Sequence, residues 1–273
     1  MDKTISSLIC MIFLSSTYAG CLSSDEQINI QHDYQEEGCI TSAERGVVIS
    51  FDDSQNIESW GEHRDFLNFN GVKATFFVDR WNKLDSWEIE ILNNLSKDGH
   101  EIGFHSRSHG DYFEFLEQNL TEYDYLNEEI LPGIDQMEDV GFNATSFAYP
   151  RGHRDESIDA VLLDYFSVLR GTQSNKNGSE SWIAACEDLR VFRSFPLILI
   201  DESNESRDYR QKWTKYGFDT VENESVTLLF NGHGIETGGY PTSVEYLEFL
   251  FSQINHYDLP YLLMSDLDGE PLI

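Results

Sequence analysis

Basic residues are what this chain most lacks. Its 273 residues include 18 Lys and Arg against 49 Asp and Glu, a formal net charge of −31. Nucleic-acid binding neutralises phosphates with Lys and Arg, so a surface of this sign excludes it. Anionic membranes and polymers are repelled for the same reason at low salt. Lys, with 7 residues, is scarcer than Arg, with 11. Both features point to a chain adapted to high salt, where ions screen the self-repulsion of a compact acidic fold. Long apolar runs are also lacking. Ile5–Leu14 is too short to span a bilayer as a permanent helix. Cysteine is sparse, with four in all. A core is nonetheless affordable: 40% of the chain is hydrophobic, with 18 Phe and 13 Tyr, which excludes a disordered polymer.

The N-terminus reads as a targeting segment. Lys3, the apolar Ile5–Leu14 and the small residues up to Tyr18-Ala19-Gly20-Cys21 predict a signal peptide over residues 1–20. Its ending is similar to the prokaryotic lipoprotein signal, in which the Cys becomes the lipidated first residue. Ordinary cleavage after Ala19 or Gly20 is the alternative. Residues 21–45 then form an acidic tether, and 46–273 the folded domain. Membrane contact is expected only through a lipid on Cys21. Export would leave Cys39 and Cys186 outside the cytoplasm, where two thiols can pair. It would also make Asn94, Asn119, Asn143, Asn177, Asn204 and Asn223, each in an Asn-x-Ser/Thr triplet, candidate glycan sites.

From Gly46 onward, short apolar runs alternate with amphipathic stretches. Strand-length runs fall at Val47–Phe51, Ala74–Val78, Glu101–His105, Thr145–Tyr149, Phe166–Leu169, Leu189–Ile200, Val226–Phe230 and Tyr261–Met264. Apolar residues at three-and-four spacing predict helices at Ile57–Asn70, Ser86–Lys97, Thr121–Val140, Glu156–Leu163 and Thr242–His256. Pro132 interrupts the third, and Gly71, Gly99 and Gly141 stand where helices should stop. Asp201–Arg210 is polar and reads as a loop. Repeated βα units predict an α/β fold of one domain, with seven to eight mainly parallel strands closed into a distorted barrel; a doubly wound open sheet is the competitor.

Polar residues cluster just after the apolar runs. Asp52-Asp53, His105 and His109, Pro150-Arg151-Gly152, and His233 each follow a different strand candidate. In parallel α/β folds the carboxyl ends of the strands face the active site. Four strand ends therefore deliver two carboxylates, three imidazoles and an arginine to one mouth. Two His and one carboxylate suffice for a catalytic zinc, which keeps a position for water. Asp53, His105 and His109 are the candidate ligands. A second carboxylate beside them, Asp52, can act as general base, and His233, in Asn231-Gly232-His233-Gly234, as general acid.

These motifs resemble those of the polysaccharide deacetylase family, the NodB homology domain of carbohydrate esterase family 4. Ser50-Phe51-Asp52-Asp53 looks like its Thr-Phe-Asp-Asp motif, His105-Ser106-Arg107-Ser108-His109 like its His-Ser/Thr-x-x-His motif, and Phe147–Gly152 like its third motif. Leu229–His233 is similar to its last motif, and Tyr246–Asp266 to its closing helix and strand. The resemblance implies Asp52 as base, Asp53, His105 and His109 as ligands of zinc (or cobalt, nickel or iron), the Arg151 backbone N–H as oxyanion donor, His233 as acid, and an N-acetylated carbohydrate as substrate. Rival readings are hydrolysis of a non-sugar amide on the same fold and a non-catalytic glycan-binding surface protein. Two departures stand out. Where many members carry an Arg that pairs with the catalytic Asp, this chain has Ala148, leaving Arg151 or Arg170 to supply the charge. The Asp-Trp motif that buttresses the histidine has only a poor counterpart, around Arg207–Trp213.

Overall fold

The computed structural model describes residues 45–172, 183–184, 190–197, 204–223 and 227–267, which lie in one compact unit. The leader, Cys21, the tether up to Glu44, the Cys39 and Cys186 pair and Asn177 fall outside these residues. Among the described residues, no helix is long and apolar enough to cross a membrane.

Seven parallel strands close into a barrel: β1 (Gly46–Asp52), β2 (Thr75–Val78), β3 (Glu101–Phe104), β4 (Ser146–Ala148), β5 (Val168–Thr172), β7 (Val191–Pro196) and β8 (Thr227–Gly232). Closure is the pairing of β8 with β1, in register from Gly46 opposite Thr227 to Phe51 opposite Gly232. Two short strands add to it. β6 (Ile183–Ala184) pairs antiparallel with β8, and β9 (Tyr261–Leu262) takes the part of β1 below its pairing with β2. The barrel expectation holds.

The strands read as near-continuous apolar runs because both their faces are covered. β1 is buried along its whole length. Its alternate residues part company. Val47, Ile49 and Phe51 join the large core under the helices, while Val48 joins Phe77, Ala148, Val168, Leu229 and Met264 in a smaller cluster inside the barrel. Two-residue periodicity then sends Ser50 and Asp52 inward as well, toward the upper end.

Around the barrel run α1 (Ile57–Glu62), α2 (Arg64–Phe69), α3 (Ser86–Lys97), α4 (Tyr112–Glu117), α5 (Glu122–Tyr125), α6 (Leu131–Asp139), α7 (Glu156–Leu162), α8 (Asn204–Asn223) and α9 (Val244–His256). α3 has the expected bounds, fixed by an Asp85/Glu88 capping box. Gly71, Gly99 and Gly141 all adopt positive φ after helices, as helix-stopping glycines should. Other expectations need correction. The helix read over Ile57–Asn70 breaks at His63, whose ring Nδ1 lies 2.8 Å from the Ser59 carbonyl. The helix read over Thr121–Val140 is α5 and α6 joined by a π-helical turn, Leu126–Ile130, just before Pro132. From Asn204 on, the loop read at Asp201–Arg210 is helix. The inward stripe of α8 is Arg210, Thr214, Phe218 and Val221, all buried. Two of those four are polar, which hides the stripe from a hydrophobicity reading. Asn119 and Asn143 are exposed, whereas Asn94 is half-buried on α3.

Candidate metal centre and active site

The mouth of the barrel is built from the residues that end its strands. Asp52 is the last residue of β1 and points into the barrel. Its Oδ1 accepts a 2.7 Å hydrogen bond from Arg170 Nη2, and its Oδ2 lies 3.4 Å from Asn231 Nδ2. Arg170 is wholly buried, with its guanidinium carbon 5.0 Å from the centre of the Phe77 ring. Its Nη1 also donates to Ser194 Oγ (3.1 Å), which donates to Asn231 Oδ1 (3.0 Å). Of the two arginines weighed for Asp52, Arg170 takes the place. The reason is register: Ala148 on β4 sits directly opposite Arg170 on β5, so the guanidinium comes from the neighbouring strand.

Asp53 is handled differently. Its backbone turns to φ 76, ψ 122, in the region that side-chain-bearing residues seldom adopt. The turn brings its carboxylate back over the same mouth. Oδ1 lies 3.1 Å from His109 Nε2 and 3.5 Å from His105 Nε2, and Oδ2 lies 3.7 Å from His233 Nε2. His105 continues β3, its N–H bonded to the Val78 carbonyl at 3.0 Å. His109 follows through a tight loop in which Ser106 and His109 both take positive φ. The two rings meet edge to face, 5.1 Å apart.

Asp53, His105 and His109 can each offer one ligand atom, all within 4.8 Å of one another. The donors suit a divalent transition metal. His105 Nδ1–H donates to the Ala148 carbonyl at 2.7 Å, which leaves Nε2 as the lone-pair nitrogen facing Asp53. With both imidazole Nε2 atoms carrying lone pairs, the buried Asp53 Oδ1 has no hydrogen-bond donor among the described residues, a place that a cation would satisfy. Burial disfavours charge on both partners, but their attraction outweighs it. The Asp53 carboxyl is held well below the usual carboxylate range by the two imidazoles, and His105 is raised above its ordinary value.

His233 completes the mouth. Burial pulls its pKa below the ordinary value, against the opposing pull of Asp52 and Asp53. Trp60 Nε1–H fixes its backbone carbonyl at 2.7 Å. The exposed Tyr240, itself at positive φ, lies 5.8 Å from it, ring to ring. Among the described residues nothing pairs with its buried Nδ1. Trp213, the poor counterpart of the buttressing motif, instead meets Tyr209 and Tyr216 of α8 edge to face.

Arg151 sends its side chain away from Asp52, to Glu114 (2.8 Å) and Asp111 (3.3 Å). Its backbone takes φ 57 just after Pro150, and turn bonds from Gly152 N–H to the Tyr149 carbonyl and His153 N–H to the Pro150 carbonyl bracket its own N–H. Ser194, Asn231 and Tyr240 join the site without a sequence motif that assigns them to it. Asn231, adjoining the Gly-His-Gly run, is the one whose position could have signalled it.

Residues 40–165 match the family model described as polysaccharide deacetylase. The resemblance read from the motifs is thereby borne out over the stretch that contains Asp52, Asp53, His105, His109 and Arg151. The match ends before Arg170 and His233. A chitin deacetylase from Arthroderma benhamiae is 29% identical over 105 residues, 38% of this chain and 28% of that protein. The alignment thus spans about a quarter of that relative's length. Two solved structures superpose more widely at low identity. The Xyl-CE4 domain of a multidomain xylanase from the hindgut metagenome of Trinervitermes trinervoides has a TM-score of 0.51 at 18% identity, covering 82% of this chain and 89% of that one. A family 4 acetyl xylan esterase from Clostridium thermocellum, solved with a cobalt ion, has 0.51 at 18%, covering 81% and 89%. At such identity the likeness establishes the fold.

Proposed function

We propose that this chain is a metal-dependent deacetylase of N-acetylated carbohydrates, releasing acetate and a free amino sugar. The observation that carries the reading is the convergence of Asp53, His105 and His109 with the Asp52–Arg170 pair on one barrel mouth. A divalent transition metal held by that trio (zinc, or cobalt, nickel or iron) would supply Lewis acidity for the acetyl carbonyl and a more acidic water. Asp52, fixed by Arg170, accepts a proton from the attacking water. The Arg151 N–H donates to the oxygen on which negative charge develops. His233 Nε2 delivers a proton to the departing amine, and burial makes its protonated form a ready donor. The exposed Tyr240 ring beside it offers an apolar face to a sugar. Export, with attachment through a lipidated Cys21 and the acidic tether, belongs to the same proposal.

The test is acetate release by zinc-loaded protein from chito-oligomers, acetylated xylan and simple acetamides, with the products identified by mass. Release with a new amine on the chito-oligomers is expected. Release from acetamides alone would make the chain a hydrolase of non-sugar amides. Metal-loaded protein that binds oligomers and releases nothing would make it a non-catalytic glycan binder. A Cys21→Ala chain recovered free of membranes supports the anchor.

A further inference from the structure

The loop between the two histidines is held by a side chain from another element. Glu129 lies in the π-helical turn Leu126–Ile130 and is 6% exposed. Its Oε2 accepts from the backbone N–H groups of Ser108 (2.9 Å) and Gly110 (3.2 Å), and its Oε1 accepts from the Ser108 hydroxyl (2.6 Å). Its own backbone carbonyl accepts from Arg107 N–H at 2.9 Å. Next to it, Pro132 has no N–H to offer the carbonyl four residues back, and that carbonyl, of Glu128, accepts from Arg107 Nη1 at 3.3 Å. The approach is close. A Cβ on Gly110 would stand 2.5 Å from Glu129 Cδ, and one on Gly133 would stand 3.1 Å from Arg107 Cα. Residues 107, 108 and 110 are thus tied from one side, and His109, at φ 64, is the residue between them.

We propose that Glu129 is a positioning residue for the metal centre: through its hydrogen bonds to the 106–110 loop it holds His109 in the left-handed conformation that aims Nε2 at Asp53. An irregular turn inside a helix is a common device at functional sites, and groups hydrogen-bonded to metal ligands typically change metal affinity by 10- to 100-fold when removed; Glu129 acts on the backbone either side of His109. The inference rests on the reading of Asp53, His105 and His109 as metal ligands. The role is geometric, which yields a sharp expectation. In Glu129→Gln the amide oxygen can still accept both backbone N–H groups, and the amide NH2 can donate to Ser108 Oγ.

Zinc affinity of the full chain, by competition with a chelating dye, and the visible spectrum of the cobalt-loaded protein read the geometry without any substrate. Glu129→Ala is expected to weaken zinc about 10- to 100-fold and to change the cobalt spectrum, with Glu129→Gln near wild type in both. Should Glu129→Ala not fold, Ser108→Ala, which removes only the hydroxyl bond, is expected to show a smaller loss in the same direction. Wild-type affinity and spectrum in a folded Glu129→Ala overturn the inference, as does a Glu129→Gln that behaves like Glu129→Ala. Ser108→Ala at wild-type affinity overturns it where Glu129→Ala does not fold. A wild type that takes up no metal overturns the ligand reading and this one together. A wild type that binds metal in a Glu129-dependent way yet deacetylates nothing sinks only the proposed function.

Discussion

The Glu101 network at the lower end of the barrel and the mouth at its upper end treat their polar groups in opposite ways. At the lower end, the Glu101 carboxylate accepts from Thr75 Oγ1 (2.9 Å), Ser146 Oγ (2.6 Å) and Ser265 N–H (3.0 Å), and Thr75 Oγ1 accepts in turn from Met264 N–H (3.0 Å). Each of these donors has its acceptor. At the upper end, Asp53 Oδ1, Arg170 Nε and His233 Nδ1 are buried without a hydrogen-bond partner among the described residues. A satisfied network closes and stiffens a core, whereas unsatisfied atoms store free energy that a bound group can release. The contrast separates what keeps the barrel shut from what the barrel is shut around.

Substitutions at the two ends should therefore fail differently. The largest effects belong to the upper end. Asp53→Ala or His109→Ala should lose stoichiometric metal, measured by elemental analysis after zinc loading. Asp52→Asn should keep the metal and lose turnover by about 10²–10⁴-fold. Normal deacetylation by Asp52→Asn would remove it as the base. Next comes the pair inside the mouth. Arg170→Met leaves the buried Asp52 without its cation and should cost about 3–5 kcal/mol in urea unfolding, most of it recovered in the double variant with Asp52→Asn. At the lower end, Glu101→Ala strands three donors and should cost about 1–3 kcal/mol with zinc affinity unchanged. A shift in metal affinity there would show that the two ends are coupled.

The smallest effect is a pH dependence at the lower side. His100 is buried and neutral, its pKa pulled from 6.5 down to about 4 by burial first and the Lys73 charge second. Its Nδ1 accepts from Ala74 N–H at 3.1 Å, so taking up a second proton means losing that bond. The folded value is depressed, so stability is full above the unfolded value near 6.5 and falls as pH drops toward 4. From pH 7 to 5.5 the loss should be about 1 kcal/mol. It should be absent in His100→Gln, compared by urea midpoints at the two pH values.

Much of this architecture can be read in the order of residues. Strand positions follow from apolar runs bounded by glycines and acids, and the strand-end clusters at Asp52, His105, Pro150 and His233 announce the mouth. What stays hidden depends on register or on a partner far along the chain. Arg170 meets Asp52 across 118 positions because β4 and β5 align Ala148 with Arg170. Glu129 is one more acidic residue among 49 until a π-turn sets it against the histidine loop. α8 escapes notice because Arg210 and Thr214 occupy its buried stripe. α4 is too short to show a period, although Asp111, which accepts from Phe113 N–H, and Glu114 carry the cap-and-acid spacing that opens helices.

The closure of β8 onto β1 has a kinetic meaning. Asp52 and Asp53 end the first strand of the barrel. His233 follows β8, whose register puts Phe51 opposite Gly232, 181 positions on. A contact of such sequence separation demands costly loop closure before it returns anything. During synthesis the early half of the barrel, with Asp52, Asp53, His105 and His109, must wait for a strand made near the end. The mouth is complete only when the ring shuts. Recovery of activity on refolding should follow the last step of assembly, and a chain cut before β8 would carry Asp53, His105 and His109 with no His233 opposite them.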